Sequence, residues 1–137
     1  MTIYIDENIP PYLAKGFQIL QEPENIKLKQ PIYVESIKDK FGRGAKDEEW
    51  IPLAGQTDAC VITQDYNIHR IKSQHELCKQ YGLGMFYFKP QSKNGIQYWD
   101  MLGLMVKHWK EISRIAIIEK RPFAYEITPR GGVKRLN

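Results

Sequence analysis

The chain has 137 residues, 42% hydrophobic and 26% charged, with a formal net charge of +4 and a pI near 9.0. That length suits one domain around one core, and the balance excludes a disordered or fibrous chain. The positive excess is compatible with a polyanionic partner but too small to specify one. No apolar run reaches membrane-spanning length, nothing resembles a signal peptide, and Cys60 and Cys78 lack zinc-ligand spacing. A cytoplasmic, soluble protein with reduced thiols is the expectation.

Residues 2–6 predict a buried strand. Pro10-Pro11 then opens a helix whose Leu13, Phe17 and Leu20 form one apolar stripe, with Glu22-Pro23 ending it. A polar connection over 21–30 leads to a second strand at 32–37 and a loop from Lys38 to Lys46. A helix is expected over 47–57, although Pro52 lacks an amide hydrogen and calls for a kink or a separate first turn. Residues 60–63 predict a third strand, and 68–81 a helix closed by Gly82 and Gly84. Gly84–Phe88 reads as a fourth strand. Asn94 and Gln97 form a capping box for a long helix over 95–113, with Ile96, Trp99, Leu102, Met105, Val106, Trp109 and Ile112 on its core face. Phe123–Thr128 is the last expected strand, and Pro129–Asn137 a mobile tail. Strands alternating with helices imply a mainly parallel sheet covered on both faces.

The chemistry concentrates at strand ends. Asp6 closes the run Thr2–Ile5, and Asp65 follows Cys60–Thr63. Between them, Gly42-Arg43-Gly44 leads to Asp47-Glu48-Glu49. In an open α/β sheet the carboxyl ends of strands face the ligand crevice. Carboxylates converging there are hard oxygen ligands suited to Mg²⁺ or Mn²⁺. Each acid also has a structural reading. Asp6 and Asp65 suit turns, Asp47 suits a helix N-cap, and Glu48 and Glu49 complement a helix dipole. Glu7 and Asn8 read as outer ligands or solvated turn residues, the latter preferred for Glu7. Thr63 could hold a ligand carboxylate through its hydroxyl.

Arg43, Lys46, Arg70 and Lys72 flank the acids and suit a phosphate backbone, although any one of them alone reads as a solvated surface cation. His69, His75 and His108 lack ligand spacing, and His108 reads as structural. Trp50, Trp99 and Trp109 read as core. There is no Ser-His-Asp pattern, Walker loop or GxGxxG run, so acyl transfer and nucleotide hydrolysis have no support.

Several segments in order resemble a known family. These are Ile5-Asp6-Glu7-Asn8-Ile9-Pro10-Pro11, Gly44-Ala45-Lys46-Asp47-Glu48-Glu49-Trp50, Thr63-Gln64-Asp65, His108-Trp109 and Arg121-Pro122-Phe123-Ala124-Tyr125-Glu126-Ile127. Together they resemble the PIN-like domains of VapC-type toxins. The resemblance implies a three-layer α/β/α fold with a mainly parallel central sheet, spanning 1–137 as one domain. It implies a metal-dependent endoribonuclease, the toxin of a type II toxin–antitoxin pair. Asp6, Asp47 and Asp65 match the catalytic, metal-binding acids for Mg²⁺ or Mn²⁺, with Glu48 and Asn67 as further candidate ligands. Arg43, Lys46 and Arg70 would follow the RNA. RNA and a cognate antitoxin are the implied partners, with no membrane and with a homodimer left open.

Asn67 stands where related domains often carry another aspartate. A neutral ligand there weakens a second ion and keeps open a non-catalytic module that binds RNA or a protein. A phosphoacceptor receiver domain ranks lower, because Lys89-Pro90 follows Asp65 by one strand–helix unit where that architecture needs two.

Overall fold

Alternate residues of a strand face opposite sides of its sheet, and here that parity sorts the helices into two layers. The computed structural model describes residues 1–64 and 68–136, with the side chains of 68–70 outside the described set. In chain order the elements are β1 (Thr2–Ile5), α1 (Pro11–Asn25), β2 (Tyr33–Ser36), α2 (Ile37–Phe41), α3 (Asp47–Ala54), β3 (Ala59–Gln64), α4 (Ile68–Gln80), β4 (Gly84–Phe88), α5 (Tyr98–Ile118), β5 (Phe123–Ile127) and β6 (Val133–Leu136). One sheet holds the strands in the order β2-β1-β3-β4-β5-β6, parallel except for the last pair.

Ile3, Ile5, Cys60, Ile62, Phe86 and Phe88 face one side and pack under α1 and α5. Tyr4, Val61, Met85 and Tyr87 face the other, under α3 and α4. This is the expected α/β/α sandwich with a mainly parallel sheet. The steps β3–α4–β4 and β4–α5–β5 move the same way across the sheet with helices on opposite faces, so they have opposite hands. Right-handed crossovers are the rule. Here α5 follows the need to cover the face on which α1 would otherwise lie alone. Its middle meets α1 through Trp109, whose ring lies 4.5 Å from that of Phe17 and whose Nε1–H donates to Gln21 Oε1 at 2.8 Å.

Several boundaries differ from the sequence expectations. Helix α1 runs through Pro23 to Asn25, and Leu20 is exposed while Gln21 takes the buried position. Gln21 can be buried because its amide bonds both Trp109 and Asn25. Ile37 opens α2 rather than ending a strand, with Ser36 Oγ accepting from Asp39 N–H at 3.4 Å. Helix α3 passes through Pro52 unbroken; the carbonyl that proline leaves unpaired belongs to Glu48, in the first turn. Gly82 takes the expected left-handed conformation at φ +73°, whereas Gly84 is the first residue of β4.

Helix α5 starts at Tyr98 with no side-chain cap, so the Asn94–Gln97 capping box is not formed. Its buried face is Met101, Leu104, Met105, His108, Ile112, Ile115 and Ala116. Trp99 and Val106, expected in the core, point outward. The expected tail is corrected at 133–136, where β6 pairs antiparallel with β5 and supplies its outer hydrogen bonds.

Candidate functional site

The strand order reverses between β1 and β3, because the chain steps from β1 outward to β2 and returns past β1 to β3. In open α/β sheets such a switch point is where the loops part and leave a crevice. Asp6 stands at its lip. The Asp6 N–H donates to Ile62 O at 2.9 Å, continuing the parallel ladder one residue past β1, and its own carbonyl accepts from Ile9 N–H. By parity its side chain falls on the α3/α4 side, with Tyr4.

The Asp6 carboxylate is 1% exposed. Glu7 N–H donates to Oδ1 at 2.8 Å, and the Thr63 hydroxyl donates to Oδ2 at 2.7 Å. Thr63, near the end of β3, therefore holds a carboxylate through its hydroxyl. Thr63 Oγ1 in turn accepts from Asn8 Nδ2 at 3.2 Å, and the same amide donates to Gln64 O. Gln64 answers with its side chain, Nε2 donating to Asn8 O at 3.0 Å while Oε1 accepts from Ile96 N–H at 3.1 Å. Asn8 and Gln64 thus tie the ends of β1 and β3 to each other and to the loop before α5.

Asp47 opens α3. The turn before it uses Gly42 and Gly44 at φ +98° and +74°, a region that other residues rarely adopt. Gly44 N–H donates to Glu7 Oε2 at 3.1 Å, which anchors this turn to the β1 lip. Glu7 was expected to be a solvated turn residue; it is exposed, yet this bond gives it a positioning task. Lys46, not Asp47, is the N-cap residue, and its carbonyl accepts from Glu49 N–H and Trp50 N–H. Asp47 is the first helical residue, so its side chain does not cap and instead accepts from Trp50 Nε1–H at 3.1 Å. Trp50 is fully buried against Phe41.

Asp6 and Asp47 act on two groups in common. Burial pushes the Cys78 thiol up, and the charges of Asp47 and Asp6 push it further. The Tyr87 hydroxyl is likewise raised by burial, then by Cys78, Asp47 and Asp6. Two carboxylates from separate elements therefore act on the same pair of groups beneath them. Glu48, Arg43 and Lys46 are exposed. Asp65 and Asn67, and the Arg70 side chain, lie outside the described residues. Among the described residues no group of three or more His, Cys, Asp or Glu is placed to hold a metal ion.

The described donors still have a definite chemistry. Asp6 and Asp47 present hard carboxylate oxygens, and burial pushes the Cys78 thiol well above its ordinary value, against thiolate formation. That set fits Mg²⁺ or Mn²⁺ better than a thiophilic ion.

Comparison with known proteins places this geometry. A family model described as the PIN like domain matches residues 1–90. The chain belongs to the PIN-like domain family. No curated protein and no solved structure matches it. The PIN-like match takes in β1 through β4 and every acid discussed above, while α5, β5 and β6 lie beyond it. PIN-like domains are associated with nucleic acid, and RNA is their general partner. Among the described residues no helix is long and apolar enough to cross a membrane.

Proposed function

We propose that this PIN-like domain is a metal-dependent endoribonuclease of VapC type, the toxin of a toxin–antitoxin pair. The observation that carries the reading is Asp6, buried at the sheet's switch point with both carboxylate oxygens held, by Glu7 N–H and by the Thr63 hydroxyl. In sequence Asp65 is the first residue after β3, the strand that pairs with β1. Asp6, Asp47 and Asp65 would hold Mg²⁺ or Mn²⁺. When bound, such an ion neutralises phosphate charge and makes water a competent nucleophile near neutral pH.

The chain's own residues do the rest. Glu7 N–H and the Thr63 hydroxyl each donate to one oxygen of Asp6 and so fix the carboxylate's orientation. Trp50 orients Asp47 from within the core. Arg43, Lys46 and Arg70 would carry the RNA backbone by charge neutralisation. An antitoxin would inhibit by inserting a cation among the carboxylates or an acidic segment along this rim.

A second reading, a PIN-like module that binds RNA or a protein without cutting, draws on Asn67, a neutral amide near the acids in sequence. Purified protein incubated with structured RNA and Mn²⁺ separates the two. Cleavage abolished by EDTA and by Asp6→Asn is expected for the nuclease. Absence of cuts with every divalent ion tried would favour the binding module.

A further inference from the structure

Trp99 is 75% exposed at the first turn of α5, an unusual place for the largest apolar side chain in the molecule. It borders a groove of about 550 Å³ lined by Gln91, Asn94, Gln97, Asp100 and Lys107 among others. The groove opens at the carboxyl edge of the sheet, because the loop that forms it leaves β4 and enters α5. Gln64 holds Asn8 with its amide nitrogen and Ile96 N–H with its amide oxygen, so one side chain bridges the β1 lip and the groove's wall.

The chemistry of the groove is that of a single-strand binder. The Tyr98 ring meets Trp99 at 5.2 Å and 80°, an edge contact that can cover at most one of the two indole faces. The residue as a whole stays three-quarters exposed. Lys107 lines the groove and Lys93 stands exposed on its loop, against one acid, Asp100. Three side-chain amides offer donors and acceptors to base edges. An aromatic platform with cations beside it accepts any unpaired base and tracks the phosphates.

We propose that this groove is a single-stranded RNA track, in which an unpaired base stacks on Trp99 and Lys107 carries a neighbouring phosphate. The proposal rests on RNA being the ligand and adds where the strand lies beyond the acids. It makes unpaired RNA the favoured class, since a base paired in a duplex cannot present its face to an indole.

The test is binding without cleavage. Fluorescein-labelled oligouridine RNA of about twelve nucleotides, within the range of single-strand site sizes, is titrated with full-length protein in EDTA and followed by anisotropy. Trp99→Ala should bind roughly 5- to 150-fold more weakly, the range of one lost stacking contact. Trp99→Phe should recover most of the loss, and the salt dependence should keep its slope in both. Lys107→Ala should reduce that slope by about one phosphate contact. Trp99→Ala binding as tightly as wild type would overturn the track while leaving RNA as the ligand. An equal loss on a hairpin duplex would overturn base stacking. Wild type that binds no RNA, single or double, would overturn both the track and the RNA reading. Self-association on gel filtration that Trp99→Ala removes, with RNA binding unchanged, would assign the face to a protein contact instead.

Discussion

Thr63 gives its hydroxyl hydrogen to Asp6 Oδ2 across the β1–β3 boundary, and both side chains are sealed from solvent. A buried carboxylate without its donors is costly, and a bond to a charged group contributes about 1.5–3 kcal/mol. Thr63→Val should therefore lower unfolding stability by roughly that amount and disturb the acid's orientation. Thr63→Ser keeps the hydroxyl and should recover much of the bond. Urea melts of the three proteins decide the matter; coincident midpoints for valine and threonine would remove Thr63 from the role.

Ion binding should need the acids jointly. Calorimetric titration with Mn²⁺ should show uptake by wild type and none by the Asp6→Asn, Asp65→Asn double variant. Equal heats from both would dissolve the proposed centre. Trp50→Phe keeps an aromatic, though smaller, ring and removes the indole N–H from which Asp47 accepts. It should weaken Mn²⁺ uptake while leaving the fold intact by circular dichroism.

Tyr87 has a buried hydroxyl for which no hydrogen-bond partner exists among the described residues. An unpaired buried hydroxyl opposes folding by about 1–3 kcal/mol. Tyr87→Phe should consequently melt at the same temperature as wild type or higher. A fall of several degrees would mean that the hydroxyl is satisfied after all.

His108 lies on the buried face of α5, and burial, helped by Lys107, pushes its imidazole below the ordinary value. The unfolded chain then binds the extra proton first as pH falls. Stability is complete above about pH 6.5, the unfolded histidine value, and is lost as pH drops from there towards the lower folded value. His108→Gln should flatten that part of the stability–pH curve. A curve of unchanged shape would show that other groups set the acid limb.

Cys60 and Cys78 are both buried, and burial raises the Cys60 thiol to about 12. Thiolate is the reactive form. A chromogenic disulfide reagent at neutral pH should therefore find almost no reactive thiol in the native protein and two after denaturation. Rapid labelling of the native state would contradict the packing of both residues.

The sequence carried the skeleton and the positions of Asp6 and Asp47 at element ends because those signals are local. β-branched runs ending in aspartate place Asp6 at a strand end whatever the rest of the chain does. The bonds that turn strand ends into a site are long-range and side-chain specific. Nothing near Glu7 announces Gly44, and nothing near Gln64 announces Asn8 and Ile96. Helix α5 misled for another reason. Positions 99, 102, 106 and 109 and positions 101, 104, 108 and 112 both satisfy helical spacing, and the true face contains a histidine that hydropathy discounts. Its extension to Ile118 adds Ile115 and Ala116, which choose between the two faces. Asp47 was placed at a helix start correctly but one position early, since Lys46 has the extended backbone of the cap.

The three tryptophans sit at three depths. Trp50 is enclosed and bonded to Asp47, Trp109 is half covered between α1 and α5, and Trp99 stands in solvent beside its groove. Their emission should spread from blue to red in that order. An ion at the acids would disturb the blue component, separation of α1 from α5 the middle one, and a strand in the groove the red one. The unlabelled protein thus carries an optical address for each of its working parts, and one emission spectrum can report which part a ligand has touched.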